Sequence, residues 1–148
     1  MNNIVISILK ENGWYPDRIV NTSLILQNWN NHKYIISKNQ IKFIENIGNL
    51  KIEFINCTNK CYIIEISPND WNFLPEILKT YEDYFGKKLI PIGEVCYQNI
   101  QLLIDKDIKI YGVFDEYGTL LGNNFFEFIE NLYDNKKIIW DIIESFYD

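Results

Sequence analysis

An α+β fold is what this chain of 148 residues predicts, on three observations. Apolar residues recur at helical spacing in some segments and alternate in others. The two kinds of segment are mixed without the strict strand–helix alternation of a parallel sheet. Glycine and proline mark most of the boundaries. The expected architecture is a central, mainly antiparallel sheet flanked by helices, one domain over residues 1–148. A chain of this size buries roughly two-thirds of its unfolded surface, enough for a core without disulfide or metal staples.

The elements follow in order. Ile4, Val5, Ile8 and Leu9 repeat at helical spacing, and Gly13 is placed to stop that helix. The chain then reads as a loop or irregular strand as far as 28–31. A second helix is expected over 39–47, with Ile41, Ile44 and Ile47 on one face and Gly48 as its stop. The period then changes to two. Residues 51–56 alternate, with Ile52 and Phe54 on one face, and 62–66 are apolar and β-branched. These are two strands across the turn Thr58-Asn59-Lys60. Pro68-Asn69-Asp70 breaks the chain. Pro75 suits a first helical turn, Ile77, Leu78, Tyr81 and Phe85 follow at helical spacing, and Gly86 ends that helix. Three strands are expected over 89–95, 99–105 and 109–115, the last two forming a hairpin across Lys106-Asp107-Ile108. Glu116-Tyr117-Gly118 reads as a turn. Asn124 with Glu127 resembles a capping box for a helix over 125–133. A C-terminal helix is expected over 136–147, with Ile138, Ile139, Ile142, Ile143 and Phe146 on one stripe.

Composition excludes several classes of function. The chain is 47% hydrophobic and 16% aromatic, which argues against disorder. Its apolar runs are far shorter than the ~20 residues that span a bilayer. The N-terminus has no basic region, and Lys10 and Glu11 interrupt its apolar run. No signal peptide or membrane anchor is read there, so a cytoplasmic protein is expected. Cys57, Cys61 and Cys96 are odd in number and loosely spaced, which suits reduced cysteines in or near the core. The net charge of -6 argues against a nucleic-acid binder and favours a basic partner or plain solubility. One histidine, His32, cannot form a metal site, and no nucleophile, phosphate-loop or dinucleotide motif is present. No cofactor and no catalytic or metal-binding residue is expected.

Two separated segments stand out. In Gly13-Trp14-Tyr15-Pro16-Asp17-Arg18, proline fixes the backbone and pushes its predecessor to an extended conformation. Trp14 is either core or an interface anchor. Arg18 either clamps the turn onto the domain or offers its planar fork to a partner. In Pro91-Ile92-Gly93-Glu94, proline implies a strand edge or end, and Gly93 a bulge or close backbone approach. Glu94 is read as exposed or as paired with Arg18, rather than as a general acid, because no second acid or histidine is fixed near it.

These segments, with Phe43 to Leu50 and Ile110 to Phe114, resemble the signatures of the third subgroup of the SUKH superfamily. The resemblance runs over about 13–135. Asp17 stands where the pattern often has glycine, and Asn49 where it has a second glycine. Gly13, Trp14, Pro16, Arg18, Pro91, Gly93 and Glu94 are its signature positions. The resemblance implies a non-enzymatic immunity protein that binds and neutralises a cognate bacterial toxin. A basic toxin such as a nuclease would suit the acidic chain. Asp105, Asp107, Tyr111, Asp115 and Glu116, near the expected hairpin turns, are the candidate partner-binding residues. A protein- or peptide-binding adaptor without a toxin partner is the alternative.

Overall fold

The computed structural model describes residues 2–67 and 73–147. The chain break read at Pro68-Asn69-Asp70 lies outside the described residues. Among these described residues, seven strands form one antiparallel sheet whose spatial order follows the chain: β1 (Lys51–Ile55), β2 (Cys61–Ile66), β3 (Ile90–Val95), β4 (Ile100–Ile104), β5 (Ile110–Phe114), β6 (Tyr117–Gly122) and β7 (Asp141–Ile142). Five α-helices among the described residues accompany it: α1 (Asn3–Glu11), α2 (Ser23–Asn31), α3 (Lys38–Ile47), α4 (Pro75–Phe85) and α5 (Phe125–Tyr133). The fold class is therefore α+β in a single domain, as the sequence predicts.

Alternation assigns the two faces of the sheet. Ile52, Phe54, Ile64, Leu102, Ile104 and Ile110 point to one face and join the main core, where α1, α2, α3 and α5 bring Leu9, Trp29, Ile44 and Phe128. Leu103, Tyr111 and Val113 point the other way and meet Leu78 and Tyr81 of α4, together with Ile143. Among the described residues, only the β4–β5 side of this second face is covered. Over β1 and β2 its side chains alternate as exposed or half-buried Lys51, Glu53, Ile55, Cys61, Ile63 and Glu65.

Local chemistry explains most element boundaries. Asn2 accepts a hydrogen bond from Ile4 N at the start of α1. Ser37 and Gln40 form a reciprocal capping box on α3. Pro75 opens α4, and Gly86, at φ 69°, closes it in the left-handed conformation. Asn124 caps α5 by accepting from Glu127 N, but the Glu127 carboxylate reaches back to Asn123, so the reciprocal half of the expected box is displaced by one residue. Among the described residues, no helix is long and apolar enough to cross a membrane.

Four expectations need correction. Residues 23–31 form α2 instead of a loop or irregular strand. Ile25 and Trp29, one turn apart, are buried on its inner side, while Asn28, Asn30 and Asn31 dilute the helical signal. Tyr117–Gly122 form β6, and the turn that precedes it is Asp115-Glu116. The expected helix over 136–147 is absent. Ile138 and Trp140 pack at a period of two, β7 adds to the free edge of β6, and a 3-10 turn follows at Glu144–Tyr147. Ile143 N donates to Glu116 O at 2.7 Å, so the sheet edge takes the backbone bond that a helix would have made internally. Finally, Cys57 and Cys61 are exposed and Cys96 half-buried, so the cysteines are free but not in the core.

Candidate functional site

The first signature segment is an internal clamp. The Trp14 indole, 6% exposed, donates to Asn46 Oδ1 at 2.8 Å and packs edge-on against Phe126. Asn46 Nδ2 donates to the carbonyls of Pro16 and Arg18 at 3.1 and 3.0 Å. Arg18 spends its fork on the carbonyls of Asn46 and Gly48, at 2.7 and 2.8 Å. These two carbonyls lie at the C-terminal end of α3, where a cation also meets the helix dipole favourably. Pro16 holds the intervening turn, and Gly13, at φ 94°, makes the preceding bend. Asn46, which the sequence reading passed over, is the hub of this clamp. Its place two residues before the helix stop Gly48, inside the segment Phe43 to Leu50, was its only signal.

The second segment lies in β3, an interior strand, so Pro91 does not mark a sheet edge. β2 pairs with β3 only from Gly93 to Val95, and a bulge falls between Pro91 and Gly93 against β4. Pro91 therefore sits beyond the stretch where β2 needs an N–H donor. A Cβ on Gly93 would overlap the Glu65 carbonyl oxygen, so close approach requires glycine there. No ion pair joins Arg18 to Glu94 among the described residues. Glu94 instead stands directly across from Glu65, and the Cys96 thiol donates to it at 3.7 Å. Lys51 Nζ lies 3.8 Å from Glu65 and offsets part of that like-charge opposition. Burial pushes the Cys96 thiol above its ordinary pKa, and Glu94 and Glu65 push it further. One donor atom from each of Glu65, Glu94 and Cys96 lies within 4.8 Å of the others, so these are the residues whose chemistry suits a cation.

The candidate partner-binding residues divide into two groups. Asp105 and Tyr111 are 1% and 5% exposed, which removes them from any docking surface as the fold stands. Asp105 accepts from Asp107 N, Lys109 N and the Tyr111 hydroxyl, at 2.9, 3.0 and 3.0 Å, and Lys87 Nζ approaches to 3.6 Å. It organises the β4–β5 turn. Burial and this bond to Asp105 raise the Tyr111 pKa. Asp107 is exposed.

Asp115 and Glu116 border a groove of about 570 Å³ between α4 and the sheet, with Tyr81, Gln101, Phe114 and Phe146. The Tyr81 hydroxyl donates to the Asp115 carbonyl at 2.6 Å and fixes this turn to α4. Burial, then the charges of Asp115 and Glu116, push the Tyr81 pKa to about 12.

Register joins the two acidic places. Glu65 faces Glu94, Glu94 faces Gln101, and Gln101 lines the groove that Asp115 and Glu116 border. The uncovered part of the second sheet face is thus acidic from β2 across to the β5–β6 turn. Exposed Ile55 lies on its β1 side, and Tyr97, 91% exposed, stands in the β3–β4 turn. Glu65 was missing from the candidates because only strand register places it beside Glu94.

A comparison with protein-family models matches residues 1–135 to the family described as SUKH-3 immunity protein. No curated protein and no solved structure gives a significant match. The matched span begins at α1 and ends just past α5, so the sheet through β6 and all five helices lie inside it. The chain belongs to the SUKH-3 immunity protein family.

Proposed function

We propose that this protein neutralises its cognate toxin by stoichiometric binding without catalysis, and that the toxin domain is basic and of nuclease type. Membership of the immunity family over residues 1–135 carries the neutralising role. The acidic strip from Glu65 and Glu94 to Asp115 and Glu116, in a chain of net charge -6, supports the basic partner. Asp107, Asp115 and Glu116 are the candidates that remain at the surface, and Glu65, Glu94 and Tyr97 join them. Asp105 and Tyr111 support the scaffold beneath. The acidic surface repels polyanions, so nucleic acid and anionic membrane are not partners in this reading. The raised Cys96 pKa runs opposite to an activated nucleophile and favours a binding role over an enzymatic one. Free cysteines, two of them exposed, suit a reducing cytoplasm.

The test is co-expression with the C-terminal domain encoded by the open reading frame immediately upstream. This chain is expected to restore growth and to co-purify with that domain. Reversing Glu94 and Asp115 to lysine is expected to slow association on the order of tenfold at low salt, with a shallower salt dependence. A harmless neighbour, or one neither bound nor neutralised, overturns the immunity reading in favour of an adaptor. Unchanged association after charge reversal overturns the docking site alone.

A further inference from the structure

A second surface of opposite character lies between the 32–37 segment and the C-terminal end of α4. Two cavities, of about 200 and 470 Å³, meet there and share Ile35 and Lys88 in their walls. The smaller is floored by Phe73, Pro75, Leu78 and Ile90. Ile35 is 73% exposed between the two, an apolar side chain left on open ground. Ser37 Oγ donates to the Lys106 carbonyl at 3.2 Å and closes the far end.

The rim is cationic in an acidic protein. Among the described residues, Lys33, Lys87, Lys88 and Lys106 border the two cavities, against the carboxylates of Glu82 and Asp105. Both carboxylates also meet rim lysines, Glu82 at 4.0 Å from Lys88 Nζ and Asp105 at 3.6 Å from Lys87 Nζ, so the excess positive charge comes from Lys33 and Lys106, which make no ion pair among the described residues. Glu82 accepts from Leu89 N at 3.0 Å, and Asp105 holds the β4–β5 turn. The Tyr34 hydroxyl, whose residue lines the smaller cavity, is buried and has no hydrogen-bond partner among the described residues. A buried hydroxyl without an acceptor is uncommon in folded proteins, and this one belongs to a residue of the cavity wall. Burial and the nearby Glu82 charge raise its pKa, so it remains a donor at neutral pH.

We propose that this groove binds an extended acidic peptide segment of a protein partner. An apolar side chain would enter the smaller cavity beneath Tyr34, a peptide carbonyl or carboxylate would accept from the Tyr34 hydroxyl, and flanking acidic residues would run along Lys33, Lys88 and Lys106. Two cavities in line suit an extended chain with alternating side chains better than a single compact ligand. The apolar floor disfavours an oligonucleotide, whose phosphates would find only the rim. The proposal goes beyond the toxin-binding reading and does not require that the segment come from the toxin.

The test uses the 15N-labelled full chain and the synthetic peptide acetyl-EDLFED-amide, with acetyl-QNLFQN-amide as the neutral analogue. The acidic peptide is expected to give saturable amide shifts clustered at 32–37 and 87–90, with at least tenfold tighter binding than the analogue. The double variant K33E/K106E and the variant I35S are each expected to weaken binding at least fivefold. Tyr34→Phe is expected to weaken it similarly while leaving the melting temperature unchanged or higher. Absence of saturable shifts at millimolar peptide, shifts centred elsewhere, or equal affinity for the neutral analogue overturns the proposal. So does equally tight binding of a tetranucleotide at the same residues, or a lowered melting temperature in Tyr34→Phe, which would show that the hydroxyl already has an internal partner. Peptide binding without toxin rescue would sink the proposed function and leave the groove standing; rescue without peptide binding would do the reverse.

Discussion

Asn46→Ala removes the hub of the clamp that ties the 14–18 turn to α3. Three hydrogen bonds are lost at once. The Trp14 indole N–H, buried and unable to reach water, loses its acceptor, which costs roughly 1–3 kcal/mol. The carbonyls of Pro16 and Arg18 lose their donor but lie nearer solvent and rehydrate, so each bond contributes about 0.5–1 kcal/mol. The total is about 3 kcal/mol, a fall in Tm of roughly 6–12 °C for a domain of this size. Trp14→Phe deletes the indole donor itself and tests the larger part. In that background Asn46→Ala is expected to cost about 1–2 kcal/mol less than in the parent chain, a coupling that a double-mutant cycle reads directly. The assay is urea unfolding followed by tryptophan fluorescence and by circular dichroism, with circular dichroism the reference for Trp14→Phe. Toxin affinity per folded molecule is expected to stay the same. A loss below about 1 kcal/mol for Asn46→Ala, or strict additivity with Trp14→Phe, refutes the clamp as the reason for this signature.

Three further outcomes are expected. Tyr81 titrates near 12 in the folded chain against about 10 when unfolded, so the neutral phenol favours the folded state. That contribution is complete below pH 10 and is lost as pH rises from 10 towards 12; Tyr81→Phe is expected to flatten this alkaline decline in a Tm-versus-pH series, and an unchanged slope counts against it. Iodoacetamide at neutral pH is expected to label exposed Cys57 and Cys61 before Cys96, and Glu94→Gln is expected to speed labelling of Cys96, because removing the carboxylate lowers the thiol pKa. Mass spectrometry of the digested protein settles the order, and fastest labelling at Cys96 would contradict it. Asn12 uses its side-chain amide as a substitute strand at the sheet edge: Nδ2 donates to Glu53 O at 3.1 Å and Oδ1 accepts from Glu53 N at 3.0 Å. Asn12→Ala is expected to destabilise the chain by about 1–2 kcal/mol and to promote self-association through the bared edge of β1, read by light scattering; a monomer of unchanged stability would argue against this role.

Where a few neighbouring residues suffice, the chain is legible without its fold. Ser37 with Gln40, Pro75 with Gly86, and the alternation of Ile52, Phe54, Tyr62 and Ile64 each carry their own instruction. So does the α+β class with a mainly antiparallel sheet, because most strands read from the sequence follow one another through short turns. The signature at Gly13 to Arg18 was equally visible as a motif, and it pointed to the family before any geometry was known.

Other elements depend on partners distant in sequence. α2 forms because Ile25 and Trp29 find a core to enter, not because its asparagines favour a helix. Residues 136–142 abandon a helical stripe because β6 offers an unpaired edge and the core beside it accepts Ile138 and Trp140. The site shows the same division. Asp105 and Asp115 look alike as acids beside hairpin turns, yet one is sealed under Tyr111 and Lys87 while the other borders an open groove. Glu65 and Glu94 are far apart in the chain and become one acidic spot only through the β2–β3 register. Local preference and periodicity act within a turn or two of chain, so the sequence alone determined the class, most of the elements and the family. Burial and charge clustering arise between residues far apart in sequence, so tertiary structure alone decided which acids reach the surface and where the lysine-rimmed groove opens.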